Sequence, residues 1–135
     1  MLTAVLCFAC AQTSTAQVQA SGTSKRCIDT AGADAVLLLE GRLETGTSTG
    51  PTGKERFYAL QLGQAICVDD GGDFADPTAT FSEVQVVGTD KTTWRAIEAS
   101  KGRRIKVSGT AFAAQTIHHH RPLVVLVDKV LPVDR

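Results

Sequence analysis

The chain has 135 residues, room for one domain, and its 14 Lys and Arg are balanced by 14 Asp and Glu. An apolar share of 43 % suits a globular core rather than a disordered chain or a membrane bundle. Phosphate-backbone binding rests on many Lys and Arg contacts, so formal neutrality disfavours nucleic acid as a partner.

Residues 2–11 (LTAVLCFACA) form an apolar run too short to span a bilayer, followed by a polar stretch ending Val18-Gln19-Ala20. The pattern predicts a cleaved signal peptide over 1–20, although no Lys or Arg precedes the apolar run. It also predicts a periplasmic or secreted product with no transmembrane segment in the mature form. Cys7 and Cys10 would leave with the leader, so Cys27 and Cys67 remain, and an oxidising compartment favours a disulfide between them. The expected organisation is signal peptide 1–20, N-terminal lead-in 21–30 and a β-barrel domain over 31–135.

Strand signals dominate the chain from residue 35 onward. In 35–44 (AVLLLEGRLE) Leu37, Leu39, Gly41 and Leu43 share one face, and Gly41 marks a bend of the kind that lets one strand serve two sides of a barrel. Residues 45–53 (TGTSTGPTG) have almost no apolar content and read as a flexible surface loop. Residues 56–62 and 65–68 are expected to pair as a hairpin across a Gly63-Gln64 turn, with Cys67 in the second strand.

An acidic turn region over 69–77 precedes the strand 82–87, which alternates with Val84 and Val86 inward and Glu83 and Gln85 outward. Residues 92–101 are the helical candidate, with Trp94, Ile97 and Lys101 on one face and Gly102 at the C-cap position. Spacing with Ile97 reads Trp94 as a core anchor; the alternative is a surface ring that stacks on a sugar or base. Two further strands, 104–112 and 122–130, complete the chain, the second nearly continuous in apolar residues as a doubly covered strand would be. Strand order with one short, late helix predicts a mainly β fold, a small OB-like barrel.

All three histidines lie together in Gln115-Thr116-Ile117-His118-His119-His120-Arg121-Pro122, between two strands. In an extended segment His118 and His120 project to one side and His119 to the other. Two imidazoles so placed can bind Zn²⁺ or Cu²⁺ once a carboxylate joins them, for which the 69–76 loop is a candidate source. The bland reading is a solvated loop, or imidazoles hydrogen-bonded to backbone at the barrel rim. The Asp69-Asp70-Gly71-Gly72-Asp73 run lacks calcium-loop spacing, and turn chemistry explains it.

The run Gly102-Arg103-Arg104-Ile105-Lys106-Val107-Ser108-Gly109-Thr110-Ala111-Phe112, then Thr116-Ile117-His118-His119-His120 and Pro122-Leu123-Val124-Val125, resembles a family of exported bacterial proteins. That family is known as domain of unknown function 4431. Leu39-Glu40-Gly41-Arg42-Leu43, Tyr58-Ala59-Leu60-Gln61-Leu62 and Val84-Gln85-Val86-Val87 fit its milder motifs. The chain departs from the pattern at Arg121-Pro122, where a small polar residue is usual, and at Ala111, where a larger apolar one stands. The resemblance implies a periplasmic β-domain and draws attention to His118, His119 and His120, but it supplies no activity.

No nucleophile elbow, HExxH motif or Gly-rich phosphate loop is present in the sequence. The expected function is therefore a non-enzymatic binding module for a protein or cell-envelope component, with Thr116, Trp94 and Arg121 as candidate surface residues. The alternatives are a Zn- or Cu-binding protein using His118–His120 and a small hydrolase.

Overall fold

The computed structural model describes residues 27–31, 35–72 and 78–133. The expected signal peptide at 1–20 and residues 73–77 of the acidic turn lie outside the described residues. The elements run β1 (Ile28–Asp29), β2 (Leu37–Gly50), β3 (Gly53–Ile66), β4 (Val68–Asp69), β5 (Phe81–Gly88), α1 (Lys91–Ala99), β6 (Arg104–Ala113) and β7 (Leu123–Pro132). Five strands close into a barrel in the order β2-β3-β5-β7-β6, with β6 returning to β2. Neighbours are antiparallel except β5 and β7, which run parallel. A five-stranded Greek-key barrel with its helix between the third and fourth barrel strands is the OB arrangement the sequence predicts.

Closure depends on β2 serving two partners. Its first part, Leu37 to Arg42, pairs with β6, and its second, Gly41 to Gly50, pairs with β3. Gly41 sits where the two ladders overlap, and a Cβ there would lie 2.2 Å from the Gln61 carbonyl oxygen. Gly109 on β6 is equally crowded, 2.0 Å from the Leu126 carbonyl oxygen. Both positions let backbones approach more closely than any side chain allows.

The pleat then sorts the strands. Leu37, Leu39 and Leu43 of β2 meet Leu60 of β3, Val84 and Val86 of β5, Ile105 and Val107 of β6, and Leu123, Val125 and Val127 of β7 in one buried core. The helix packs on β5 and β7 and sends Ile97, fully buried, into that core. Asp90 caps it by accepting from the Thr93 amide at 2.7 Å, and Gly102, at φ +76°, turns the chain out of it.

Several expectations need correction. The stretch 45–53 is strand and turn, because β2 continues to Gly50 and pairs Thr47 with Arg56 and Thr49 with Lys54 before a tight Pro51-Thr52 turn. Its threonines are β-branched and suit a ladder, whereas hydrophobic patterning detects only strands that bury a face. Gly63-Gln64 makes no turn; β3 runs through it to Ile66, and β3 pairs instead with β5. Cys67 thus links β3 to β4 rather than sitting within a hairpin strand. The helix spans Lys91–Ala99, and Trp94 is 38 % exposed while Thr93 and Ile97 take the buried face. Trp94 is therefore no core anchor, and Lys101 lies exposed beyond the helix.

The disulfide Cys27–Cys67 is present, and it heads a short parallel ladder between β1 and β4. Ile28 donates to the Cys67 carbonyl at 2.9 Å and Thr30 to the Asp69 carbonyl at 2.7 Å. Ile28–Asp29 of the expected lead-in are thereby joined to the domain, with Val68 buried beside them in the core. Among the described residues no helix is long and apolar enough to cross a membrane.

Closing a loop with sequence separation 40 restricts the unfolded chain by roughly 4 kcal/mol in the entropic account. Cys27→Ser together with Cys67→Ser is expected to lower the urea midpoint while the far-ultraviolet circular dichroism of the barrel persists. An unchanged midpoint would show that the bond adds nothing to the fold.

Candidate functional site

The outer face of the barrel is where the fold is unusual. Across it, Glu44 of β2, Ala59 of β3, Gln85 of β5, Val124 of β7 and Phe112 of β6 stand side by side in register. Residues facing outward on a small barrel normally meet water, yet Phe57, Ala59, Gln85 and Val124 are buried and lie outside the core cluster. The connection between β6 and β7, residues 114–122, covers this face.

Gln85 is the fastening. Its Nε2 donates to the His118 carbonyl at 3.2 Å and its Oε1 accepts from the His120 amide at 2.6 Å, so both ends of one buried side chain hold the backbone of the connection. Phe57 adds the apolar contact. Its ring lies 5.0 Å from the His120 ring, and the Arg121 guanidinium sits over it at 4.7 Å. Gly46, paired with Phe57 across the hairpin, leaves the space for the ring, since a Cβ there would lie 2.2 Å from Cζ of Phe57. Arg121 is fixed in turn by Glu83 at 2.5 Å and by the His120 carbonyl at 2.9 Å.

The three imidazoles take different roles. Nδ1 of His119 accepts from the amides of Gln115 at 2.9 Å and Thr116 at 3.3 Å, and its ring packs 5.3 Å from that of Phe112. A nitrogen that accepts two amide protons carries none of its own, which makes His119 an internal cap of the turn. His118 Nδ1 and His120 Nε2 both lie 3.2 Å from the same oxygen, Oε2 of Glu55, while Thr52 approaches the other oxygen at 3.4 Å. The His120 side chain is 8 % exposed and that of His118 64 %. The hydrogen bond from His118 holds the Glu55 carboxyl below its ordinary value, partial burial opposes this, and electrostatic attraction from the His118 and His120 rings adds to the lowering.

Alternation along the segment thus places His118 and His120 together and His119 apart, even though 116–118 form a turn and not an extended strand. The carboxylate that joins them is Glu55, from the hairpin, and not one from the 69–76 loop. Asp69 and Asp70 instead accept from the amides of Gly71 and Gly72 at 3.0 Å and 3.1 Å, which is turn chemistry. Among the described residues, no group of three or more His, Cys, Asp or Glu side chains is disposed to hold a metal ion. Of the candidate surface residues, Thr116 serves the turn by accepting from the His118 amide at 3.4 Å, and Arg121 pins the connection. Trp94 alone of the three lines a cavity.

That cavity, about 440 Å³, lies over β3 and β5 between the histidine connection and α1, lined among others by Glu55, Phe57, Val87, Trp94, His118 and His120. Glu55, Phe57 and Gln85 carry the site and escaped the sequence reading. Glu55 and Phe57 share strand parity, but the hydrophobic pattern marks the strand only from residue 56, whereas β3 begins at Gly53.

Gln85→Leu would leave the His120 amide and the His118 carbonyl without their partners, a cost of about 2 kcal/mol. Urea denaturation should show that loss, with Gln85→Glu milder because it keeps the acceptor. Glu55 supplies the second expectation. A carboxylate with a depressed pKa stabilises the fold above its unfolded value, and that contribution disappears as pH falls through the lower folded value. Wild type should therefore melt above Glu55→Gln at about pH 6 and lose this advantage below the ordinary glutamate value of 4.5. Melts of the two proteins that stay parallel down to about pH 3 would deny the carboxylate this role.

No curated protein matches the chain. Residues 83–131, which hold β5 from Glu83 onward, α1, β6, the histidine connection and β7 as far as Leu131, match the model of the family described as Domain of unknown function (DUF4431), the family that the histidine segment resembles.

Proposed function

We propose that this protein is a non-enzymatic binding module of the cell envelope or its exterior. It recognises a protein or an envelope component through the outer face of β3 and β5. In OB barrels the second and third barrel strands and their flanking loops bind ligands, and here β3, β5 and the histidine connection occupy those places. Fold alone names no ligand. The observation that carries the reading is the cavity of about 440 Å³ where the β3–β5 ladder ends at Tyr58 and Val86, lined by residues of both faces, with Trp94 left 38 % exposed beside it. Such a hollow, lined by aromatic groups and a few placed polar ones, is the usual form of a binding site.

Compartment follows from the apolar N-terminal run and is consistent with the paired cysteines, since disulfides persist in oxidising surroundings. A metal role has less behind it, because Glu55 is paired to the imidazoles and His119 is turned into its own loop. A hydrolase would need a nucleophile beside His118. The hydroxyl bonded there, that of Thr116, serves the backbone.

Immobilised protein should retain a component of envelope extract, soluble or sedimenting, and Trp94→Ala should lose it at wild-type circular dichroism. Repeated capture that returns nothing specific, or equal capture by the variant, overturns the reading.

A further inference from the structure

We infer that the ligand of this cleft is a saccharide, a chain of about two pyranose rings with an apolar C–H face and a hydroxyl edge. This rests on the binding-module reading and names its ligand class.

Each wall of the cleft points to that chemistry. Trp94 forms one. A Cβ at Gly88 would lie 2.9 to 3.1 Å from the backbone nitrogen, Cγ and Cδ1 of Trp94, so the indole is seated directly on the end of β5. Tyr58 stands 6.3 Å away, tilted at 56°. The result is a braced aromatic surface, 38 % exposed, of the kind that takes the flat apolar face of a ring. Val87 and the buried Phe57 extend the apolar floor.

Across the cleft lie polar groups: Glu55 offers carboxylate oxygens and His118 an imidazole 64 % exposed, while Arg56, on the Tyr58 side of β3, also lines the cavity. Together they present acceptors and donors in one place, as hydroxyl groups require.

Charge argues against the other occupants. Glu55 lies beside the imidazoles of His118 and His120, and Arg121 pairs with Glu83. Arg56 takes part in none of the ion pairs among the described residues, so the lining sets one carboxylate, Glu55, against one guanidinium and has no excess of either sign. A basic peptide finds one carboxylate, already bonded to two imidazoles. An acidic peptide finds one guanidinium, too little for a partner read by charge, and the chain as a whole is neutral. What remains strong is ring stacking with directional hydrogen bonds.

Trp94 is the sole tryptophan of the chain, so intrinsic fluorescence reports on this wall alone. The disulfide-bonded protein is titrated with chitotriose and with maltotriose, both neutral, and in parallel with oligolysine and oligoglutamate. Emission and calorimetry are followed together. A saturable change with at least one sugar is expected, with Kd of about 1 mM or tighter. Glu55→Gln should weaken it about tenfold, Trp94→Ala at least as much by calorimetry, and Trp94→Phe less, each at wild-type circular dichroism. Should Trp94→Ala fail to fold, Trp94→Phe and Glu55→Gln carry the comparison.

Silence with both sugars at about ten times that concentration overturns the saccharide, as does undiminished binding by the variants. A response to either peptide without one to sugar reassigns the cleft and likewise overturns it. If an envelope component is still retained by wild type and lost by Trp94→Ala while neither sugar binds, only the ligand class falls and the binding module stands.

Discussion

One strand with two partners sets the geometry of everything else. β2 gives its first half to β6 and its second to β3, and Gly41 at the overlap admits the Gln61 carbonyl where any side chain would collide. Closure of the five strands follows, and with it a core free of charged side chains. Because the second half of β2 runs on to Gly50, it carries β3 outward as a long hairpin. Glu55 and Phe57 ride on that hairpin and end above the face that the histidine connection crosses.

The connection is held by what is buried rather than by charge. Ion pairs on a protein surface contribute little, since water screens them and two side chains must be ordered to form them. Two of the pairs here, Arg42–Glu44 and Arg104–Glu40, are of that kind. Gln85 differs. It is 5 % exposed, and each end of its amide satisfies a backbone group that would otherwise lie unpaired beneath the loop. Phe57, pressed between Gly46 below and the His120 and Arg121 side chains above, excludes water from the same place. The histidines then divide: His119 shapes the turn, His120 is packed inside, and His118 reaches the solvent side of the cleft.

This arrangement also gives the family match a physical content. The matched segment, 83–131, contributes Gln85, Trp94 and the whole histidine connection, which are the fastening, one wall and the other wall of the cleft. Glu55 and Phe57 come from outside it, on the hairpin. The site is therefore assembled across the boundary of the matched segment, and His118 and His120 are oriented by a carboxylate that lies 63 residues from His118 in the chain.

Local sequence alone determined the strand-rich character, the OB-like order, the two-sided role of the strand around Gly41, the late helix and the pairing of Cys27 with Cys67, because alternation, capping residues and cysteine count are properties of neighbours or of composition. It also set His118 and His120 apart from His119, by parity. Tertiary structure decided the rest. That 45–53 is ladder depended on a partner strand, which hydrophobic patterning does not see when no face is buried. That Trp94 lies half in water, while Thr93 and Ile97 turn inward, depended on how the helix sits against β5 and β7. Glu55, Phe57 and Gln85 became a site only when a connection from the far end of the chain folded over them, since long-range register leaves no mark in the residues that surround each position.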